Sequence, residues 1–174
     1  MDQLSFVESF RTSPFILTEG AIVERLRHEF QIPLDKHIVH AALIYNDSYR
    51  ETLAEIYRQY LQIAADFRLP LMLMTPTRRA NMEQIAESDY RHKNVLADNV
   101  SFLSRFRTGT SIPVYIGGLA GCRGDAYDGR YCLSVEEAME FHFPAVRMMA
   151  EAGVDYLFAG IMPQLTEAIG MANA

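Results

Sequence analysis

The stretch IPVYIGGLAGCRGDAYD, from Ile112 to Asp128, decides the fold because it changes from apolar to glycine-rich within a few positions. Its first part, Pro113 to Ile116, is a short β-branched and aromatic run that predicts a strand buried on both faces. Glycines follow that run at four positions, Gly117, Gly118, Gly121 and Gly124. Because glycine has no Cβ atom, the backbone there can turn sharply or lie close to a ligand. The pattern therefore predicts a buried strand followed by a binding loop.

A helix is predicted directly after this loop, so that the segment forms one β/α unit. Ser134 and Glu137 match the S-x-x-E capping box, in which the hydroxyl accepts from a backbone amide and the glutamate reaches back. Pro144 removes an amide donor and predicts a kink or a break in this helix. Gly153 predicts its end, because a left-handed cap favours glycine.

The same unit is predicted four times along the chain. Short apolar runs predict the other three strands, at Phe15–Leu17, Leu69–Met74 and Val154–Ala159. Helical periodicity predicts helices from Ile22 to Phe30, from the Ser48-x-x-Glu51 box to about Phe67 and from Val95 to Phe106, and Pro163 predicts the first turn of a last helix. Residues 31–46 fit neither period and predict an irregular connection. Alternating strands and helices predict an α/β fold with a parallel sheet, because parallel neighbours need a crossover element.

Length and composition bound the class of protein. The 174 residues, 49% hydrophobic and 22% charged, predict one folded domain over residues 1–174. A net charge of −6 disfavours a nucleic-acid partner. The first residues contain no apolar stretch of signal-peptide length, and no segment reaches the roughly 20 apolar residues of a membrane span, so we expect a cytoplasmic protein. Cys122 and Cys132 lack C-x-x-C spacing, and we expect both to be free thiols.

Four stretches, taken in their order and spacing, resemble the homocysteine S-methyltransferase family. They are ILTEGAIVERL (16–26), IYRQYLQIAADFRLPLMLMTPT (56–77), IGGLAGCRGDAY (116–127) and FHFPAVRMMAEAGVDYLFAGIMPQLTEA (141–168). The matching family segments read roughly DGGMGTEL, an H-x-x-Y helix leading to TNT, GSIGPYG, and AGVDLxxxET-x-P-S-x-x-EA. The resemblance covers nearly the whole chain.

The resemblance implies a (β/α)8 TIM-barrel fold of about 250 residues or more, of which this chain supplies the first four β/α units. Three explanations are open: a truncated product, a half-barrel that pairs with another copy, and an open four-stranded α/β domain. A bare half-barrel exposes two sheet edges and apolar faces to water. We therefore expect a homo-oligomer.

The family transfers a methyl group from a small-molecule donor to the thiol of homocysteine, and the resemblance implies the same substrate classes here. Zinc binds the sulfur as thiolate in complete family members, through cysteines of the second half of the barrel. Cys122 falls where the family loop usually has proline, so we expect no zinc or other cofactor in this chain. A non-catalytic half-barrel module that binds a small molecule and assembles with another chain is the alternative.

The resemblance implies substrate-binding residues at the ends of the first two strands. The acid of the DGG motif falls at Thr18, with Glu19 and Gly20 next to it. Thr75 and Thr77 match the TNT motif around Pro76. At the end of the fourth strand, Gly160-Ile161 replaces the family's Glu-Thr pair, which indicates a divergent branch and leaves the identity of the methyl donor and the acceptor open.

Further candidates lie in the loops after the strands. Gly118, Gly121 and Asp125 are predicted substrate contacts of the glycine-rich segment, with loop capping as the alternative for Asp125. A third hypothesis is an unrelated TIM-like enzyme in which carboxylates such as Glu19 and Asp125 act as acid and base. Arg78 and Arg79 follow the second strand and either bind a carboxylate or are solvated cations. His37 and His40 either bind a metal ion or are structural residues.

Overall fold

A computed structural model describes residues 4–127 and 131–174 as an α/β fold with one four-stranded sheet. The strands are β1 (Leu17–Thr18), β2 (Leu71–Met74), β3 (Val114–Gly121) and β4 (Tyr156–Gly160). Each strand pairs in parallel with the next one along the chain, in the order β1-β2-β3-β4. The predicted parallel sheet is confirmed, and the carboxyl ends of all four strands lie at one edge.

Helices connect the strands and cover the sheet. In the described residues the α-helices are α1 (Phe6–Thr12), α2 (Ile22–His28), α3 (Asp47–Phe67), α4 (Met82–Glu87), α5 (Val95–Ser104), α6 (Val135–Glu151) and α7 (Leu165–Asn173). Two 3₁₀ helices lie at His40–Tyr45 and Arg105–Arg107. No helix within residues 4–127 and 131–174 is both long enough and apolar enough to cross a membrane.

Two apolar clusters hold the sheet and helices together. One cluster joins β2 and β3 to α3 and contains the fully buried Leu53, Ile56 and Ile116. The other lies between α5, α6 and the end of β3, around Leu96 and Met149. The central strand β3 contributes to both clusters, which is why its apolar pattern is so continuous.

The helix starts follow local capping chemistry. The predicted box at the start of α6 is confirmed, because Ser134 Oγ accepts from Glu137 N at 3.1 Å and Glu137 Oε2 accepts from Ser134 N at 2.8 Å. A second box, between Ser5 and Glu8, starts α1 and escaped the sequence analysis. The predicted box at Ser48 is wrong, because α3 begins one residue earlier and Asn46 caps it.

The C-terminal part of the chain corrects two further predictions. Helix α6 continues through Pro144 as one element, so the predicted break is wrong. Gly153, with φ of +89°, confirms the predicted left-handed residue after it. Pro163 precedes α7, which begins at Leu165, and does not form its first turn.

His142 of α6 is buried, and its Nε2 lies 3.1 Å from Glu167 Oε1 of α7.

The glycine-rich segment also differs from the prediction. Strand β3 continues past Ile116 to Gly121, so three of the four glycines lie in the strand instead of a loop. A Cβ at Gly117 would overlap the ring of Tyr156, and one at Gly121 would overlap the backbone of Arg78. Close packing of neighbouring elements, and not a turn, therefore requires glycine here. Gly124, with φ of +73°, is the glycine that lies in the predicted loop.

Candidate functional site

A cavity of about 390 Å³ opens at the carboxyl ends of the strands, and we call it the strand-end cavity. Each strand or the loop directly after it contributes to the wall. The contributing residues include Glu19 after β1, Thr75 and Arg78 after β2, Leu119 within β3 and Ile161 after β4, together with His40 and Tyr57. In parallel α/β folds this edge is the usual place for a ligand.

Glu19 is the buried acid of this cavity. Glu19 is 7% exposed. Its side-chain Oε1 accepts a hydrogen bond from Met74 N at 2.9 Å. Its Oε2 is buried and has no hydrogen-bond partner among the described residues. Burial raises the pKa of this carboxyl group to about 7. Glu19 is therefore an acceptor that a ligand with a hydrogen-bond donor would satisfy.

Two tyrosines fix the backbone around Glu19. Tyr57 Oη of α3 donates to Met74 O at 3.0 Å, and Tyr60 Oη donates to Gly20 O at 2.6 Å. Both bonds tie the helix to the ends of β1 and β2. The position of the Glu19 carboxylate is thereby held from the helix side as well as from the sheet.

His40, the first residue of the 3₁₀ helix, is also buried in the wall. It is 5% exposed, and within the described chain its Nδ1 has no hydrogen-bond partner. Burial first, and then the positive charges of Arg78 and Arg27, lower the pKa of the imidazole to about 3. His40 is therefore neutral at physiological pH. No local sequence pattern predicts the burial of His40, because the residues that share its cavity are distant along the chain.

Arg78 brings a positive charge to the same wall. Its backbone carbonyl accepts from Gly121 N at 3.0 Å, and the stem of its side chain lies over Gly121. None of the ion pairs among the described residues involves Arg78. The next residue, Arg79, lines a second cavity of about 170 Å³ instead. The two cavities share Arg78 in their walls.

Three residues with left-handed backbone lie at the strand-end cavity. Ala21 (φ 52°) and Ile161 (φ 59°) line it, and Val39 (φ 53°) directly precedes His40. Left-handed backbone at a non-glycine residue costs about 1–3 kcal/mol, and β-branched residues such as Val and Ile adopt it least readily. Such strain persists where surrounding packing fixes it and is frequent at ligand sites.

Thr75 and Thr77 join β2 to β3 below the cavity. Thr77 Oγ1 donates to Leu119 O at 2.7 Å, and Leu119 N donates to Thr75 Oγ1 at 2.9 Å. The two hydroxyl oxygens lie 2.6 Å apart, so Thr75 donates to Thr77. Both hydroxyl groups therefore form hydrogen bonds within the protein. Thr75 lines the strand-end cavity, whereas Thr77 lies beside a much narrower space next to it.

The other sequence-predicted site residues lie in different places. Gly20 joins Glu19 and Thr75 at the strand-end cavity. Gly121 and Asp125 line the second cavity, where Asp125 Oδ1 accepts from Tyr127 N at 3.0 Å and caps the loop. Gly118 faces away from both, because a Cβ there would meet Met149 of α6.

The described residues do not fit a zinc ion. Nowhere in residues 4–127 and 131–174 do three His, Cys, Asp or Glu side chains come together as metal ligands would. Cys122 is buried, which raises the pKa of its thiol, and Cys132 is exposed elsewhere. His37 pairs with Glu87 at 3.4 Å and does not share a cavity with His40.

Comparisons with known proteins indicate the family of this chain. The model of the family described as homocysteine S-methyltransferase matches residues 16–174. Homocysteine S-methyltransferase YbgG of Bacillus subtilis (strain 168) is 44% identical over 45 residues, which are 26% of this chain and 14% of that protein. The crystal structure of the homocysteine methyltransferase MmuM from Escherichia coli, in its oxidized form, matches with a TM-score of 0.72 and 19% identity.

The structural match covers 94% of this chain and 59% of the Escherichia coli protein. At 19% identity it shows a shared fold, and the chain corresponds to somewhat more than half of that protein's length. The family model, in contrast, matches the sequence itself over nearly all of its length. The chain belongs to the homocysteine S-methyltransferase family.

Proposed function

We propose that the strand-end cavity binds a thiol amino acid such as homocysteine, and that the complete site transfers a methyl group from a small-molecule donor to the thiol sulfur. Family membership supports the reaction class. The position of the cavity at the carboxyl ends of four parallel strands supports the place of binding. A (β/α)8 barrel, of which the four β/α units here are the first part, is the proposed architecture of the complete site.

The observation that carries this proposal is the Oε2 atom of Glu19, which is buried and has no hydrogen-bond partner within residues 4–127 and 131–174. A buried acceptor without a donor costs about 1–3 kcal/mol, so a site that keeps one needs another reason to do so. The ammonium group of an amino acid supplies that donor, together with a positive charge. Because the pKa of Glu19 is raised to about 7, the carboxylate is ionised above that pH and pairs best with an ammonium group there.

The role of the chain's own residues is to hold and orient the substrate. Glu19 fixes the amino group, and the backbone at Gly20 and Ala21 closes the side of the cavity. A free thiol, with a pKa of about 8.5, is mostly protonated at neutral pH and needs activation before it attacks a methyl group. The residues that line the cavity offer no metal site for that step, and we assign it to none of them.

Titration calorimetry with L-homocysteine, under reducing conditions, tests the proposal. We expect binding by the wild-type chain that weakens at least 10-fold in Glu19→Gln, which keeps the shape but loses the charge. Glu140→Gln removes an exposed carboxylate on α6 and is the matched control, expected to bind like the wild type. Wild-type binding should strengthen between pH 6 and pH 8, as Glu19 ionises.

Absence of homocysteine binding at millimolar concentration would contradict the proposal. Equal affinity of the wild type and Glu19→Gln for homocysteine would show that Glu19 does not bind the ligand.

We also propose that the chain associates with a second copy of itself. Strand β4 is the last strand of the sheet order, and its Leu157 and Phe158 are 38% and 42% exposed. Leu165 at the start of α7 is 75% exposed. An unpaired strand edge beside exposed apolar side chains favours association with another chain.

A further inference from the structure

We propose that Arg78 and His40 bind the carboxylate of the amino acid whose ammonium group pairs with Glu19 in the strand-end cavity. The inference rests on the proposed function, because it concerns the same cavity, and it assigns the second charged group of the ligand. With it, the cavity distinguishes an α-amino acid from an amine that carries the same thiol.

The cavity contains side chains of opposite charge that are not neutralised by each other within the described structure. Glu19 and Arg78 both line its wall, yet Arg78 forms no ion pair with any described carboxylate. A space of about 390 Å³ accommodates a small molecule. A zwitterion with an ammonium group and a carboxylate matches both walls at once.

His40 supplies a neutral donor for an anionic group. A neutral imidazole carries one N–H, and the buried Nδ1 has no partner in the described part of the chain. Val39, with a φ of 53°, directly precedes His40, which lines the cavity. With its proton on Nδ1, the His40 ring donates to a carboxylate oxygen; with the proton on Nε2, the Nδ1 atom accepts from an ammonium group instead, so the choice of a carboxylate rests on the charge of Arg78.

Arg78 supplies the charge. Its guanidinium group lies near enough to His40 for its charge to disfavour protonation of the ring. The stem of Arg78 lies over Gly121, where any side chain would displace it. A guanidinium group binds a carboxylate through two parallel hydrogen bonds, which gives orientation as well as charge. Gly121 thus has a role in positioning Arg78 and not in contacting the ligand.

Comparison of two ligands tests this assignment. L-homocysteine and 3-aminopropane-1-thiol share the thiol, the chain length and the ammonium group, and differ in the carboxylate. We expect the wild-type chain to bind homocysteine at least 30-fold more tightly than the aminothiol. Arg78→Gln should reduce this ratio of affinities to below 5-fold, mainly because it weakens the binding of homocysteine. Arg79→Gln, at the neighbouring cation outside the strand-end cavity, should keep the wild-type ratio.

A third ligand makes the test independent of any variant. L-homocysteine amide lacks the negative charge, and the wild-type chain should bind it as weakly as the aminothiol. Equal affinity for homocysteine and its amide overturns the inference, as does an unchanged ratio in a folded Arg78→Gln. Failure of the proposed function has a different signature, because the wild-type chain would then bind none of the three compounds.

Discussion

At the scale of single residues, Glu19 has a structural role and a proposed role in ligand binding. One carboxylate oxygen receives a hydrogen bond from the end of β2, and the other has no partner within the described residues. Burial raises the pKa of Glu19 from 4.5 to about 7. The folded chain therefore holds a destabilising acid at the place where we expect an ammonium group.

This acid makes stability depend on pH. The folded chain keeps Glu19 protonated up to about pH 7, whereas the unfolded chain loses that proton near pH 4.5. Stability from this group is therefore present below pH 4.5 and is lost as pH rises to about 7. At about 1.4 kcal/mol for each pKa unit, the loss is of the order of 3 kcal/mol.

Glu19→Gln should remove this dependence. In urea unfolding, we expect the free energy of unfolding of Glu19→Gln, relative to wild type, to rise by about 2–3 kcal/mol between pH 4.5 and pH 7.5. The exposed control Glu140→Gln should follow the wild-type profile. A constant difference between Glu19→Gln and wild type across this range would show that Glu19 is ionised in the folded chain throughout.

At the scale of elements, strand β3 explains which parts of the fold the sequence determines. Its apolar start at Val114 to Ile116 was predicted correctly, because a buried strand depends on its own residue types. Its glycine-rich end was mistaken for a loop, because the need for glycine there comes from Tyr156 and Arg78. These partners are about 40 residues away along the chain, and no local pattern indicates them.

Helix ends show the same division. The box of Ser134 and Glu137 was predicted because all of its atoms lie within four residues. The equivalent box at Ser5 and Glu8 was equally visible in the sequence and was overlooked. At α3 the choice of Asn46 over Ser48 depends on where the preceding 3₁₀ helix ends, which the sequence pattern does not indicate.

Gly117→Ala tests the close packing of β3 against β4. A Cβ at this position would overlap the Tyr156 ring, so we expect a loss of about 1–3 kcal/mol in the free energy of unfolding. Gly20→Ala is the matched control, because no atom lies within 4 Å of a Cβ there. It should change stability by less than about 1 kcal/mol. Equal effects in chemical denaturation would contradict the packing explanation.

At the scale of the whole molecule, the sheet has two free edges within the described residues, at β1 and β4. The sequence predicted the sheet and its direction but not how the site is assembled around it. Glu19, Gly20 and Thr75 were predicted site residues through the family resemblance, and all three line the strand-end cavity. His40 was missed as a wall residue, because its burial depends on helices packed from other parts of the chain.

The exposed β4 edge should drive association of the chain. In sedimentation velocity we expect dimers or larger species of the wild type at tens of micromolar. Phe158→Lys introduces a charge at this edge and should shift the chain towards monomers. Phe67→Lys is the control, because Phe67 is 70% exposed at the end of α3, away from the sheet edge. A monomeric wild type at all concentrations would contradict self-association.

The central claim is that the strand-end cavity binds an amino acid by its two charged groups. A crystal structure of the chain with L-homocysteine, grown at pH 8 under reducing conditions, tests it most directly. The account predicts the ligand in this cavity, with its ammonium group against Glu19 and its carboxylate against Arg78 and His40. Homocysteine bound at another place, or in this cavity with its charged groups reversed, would contradict the account.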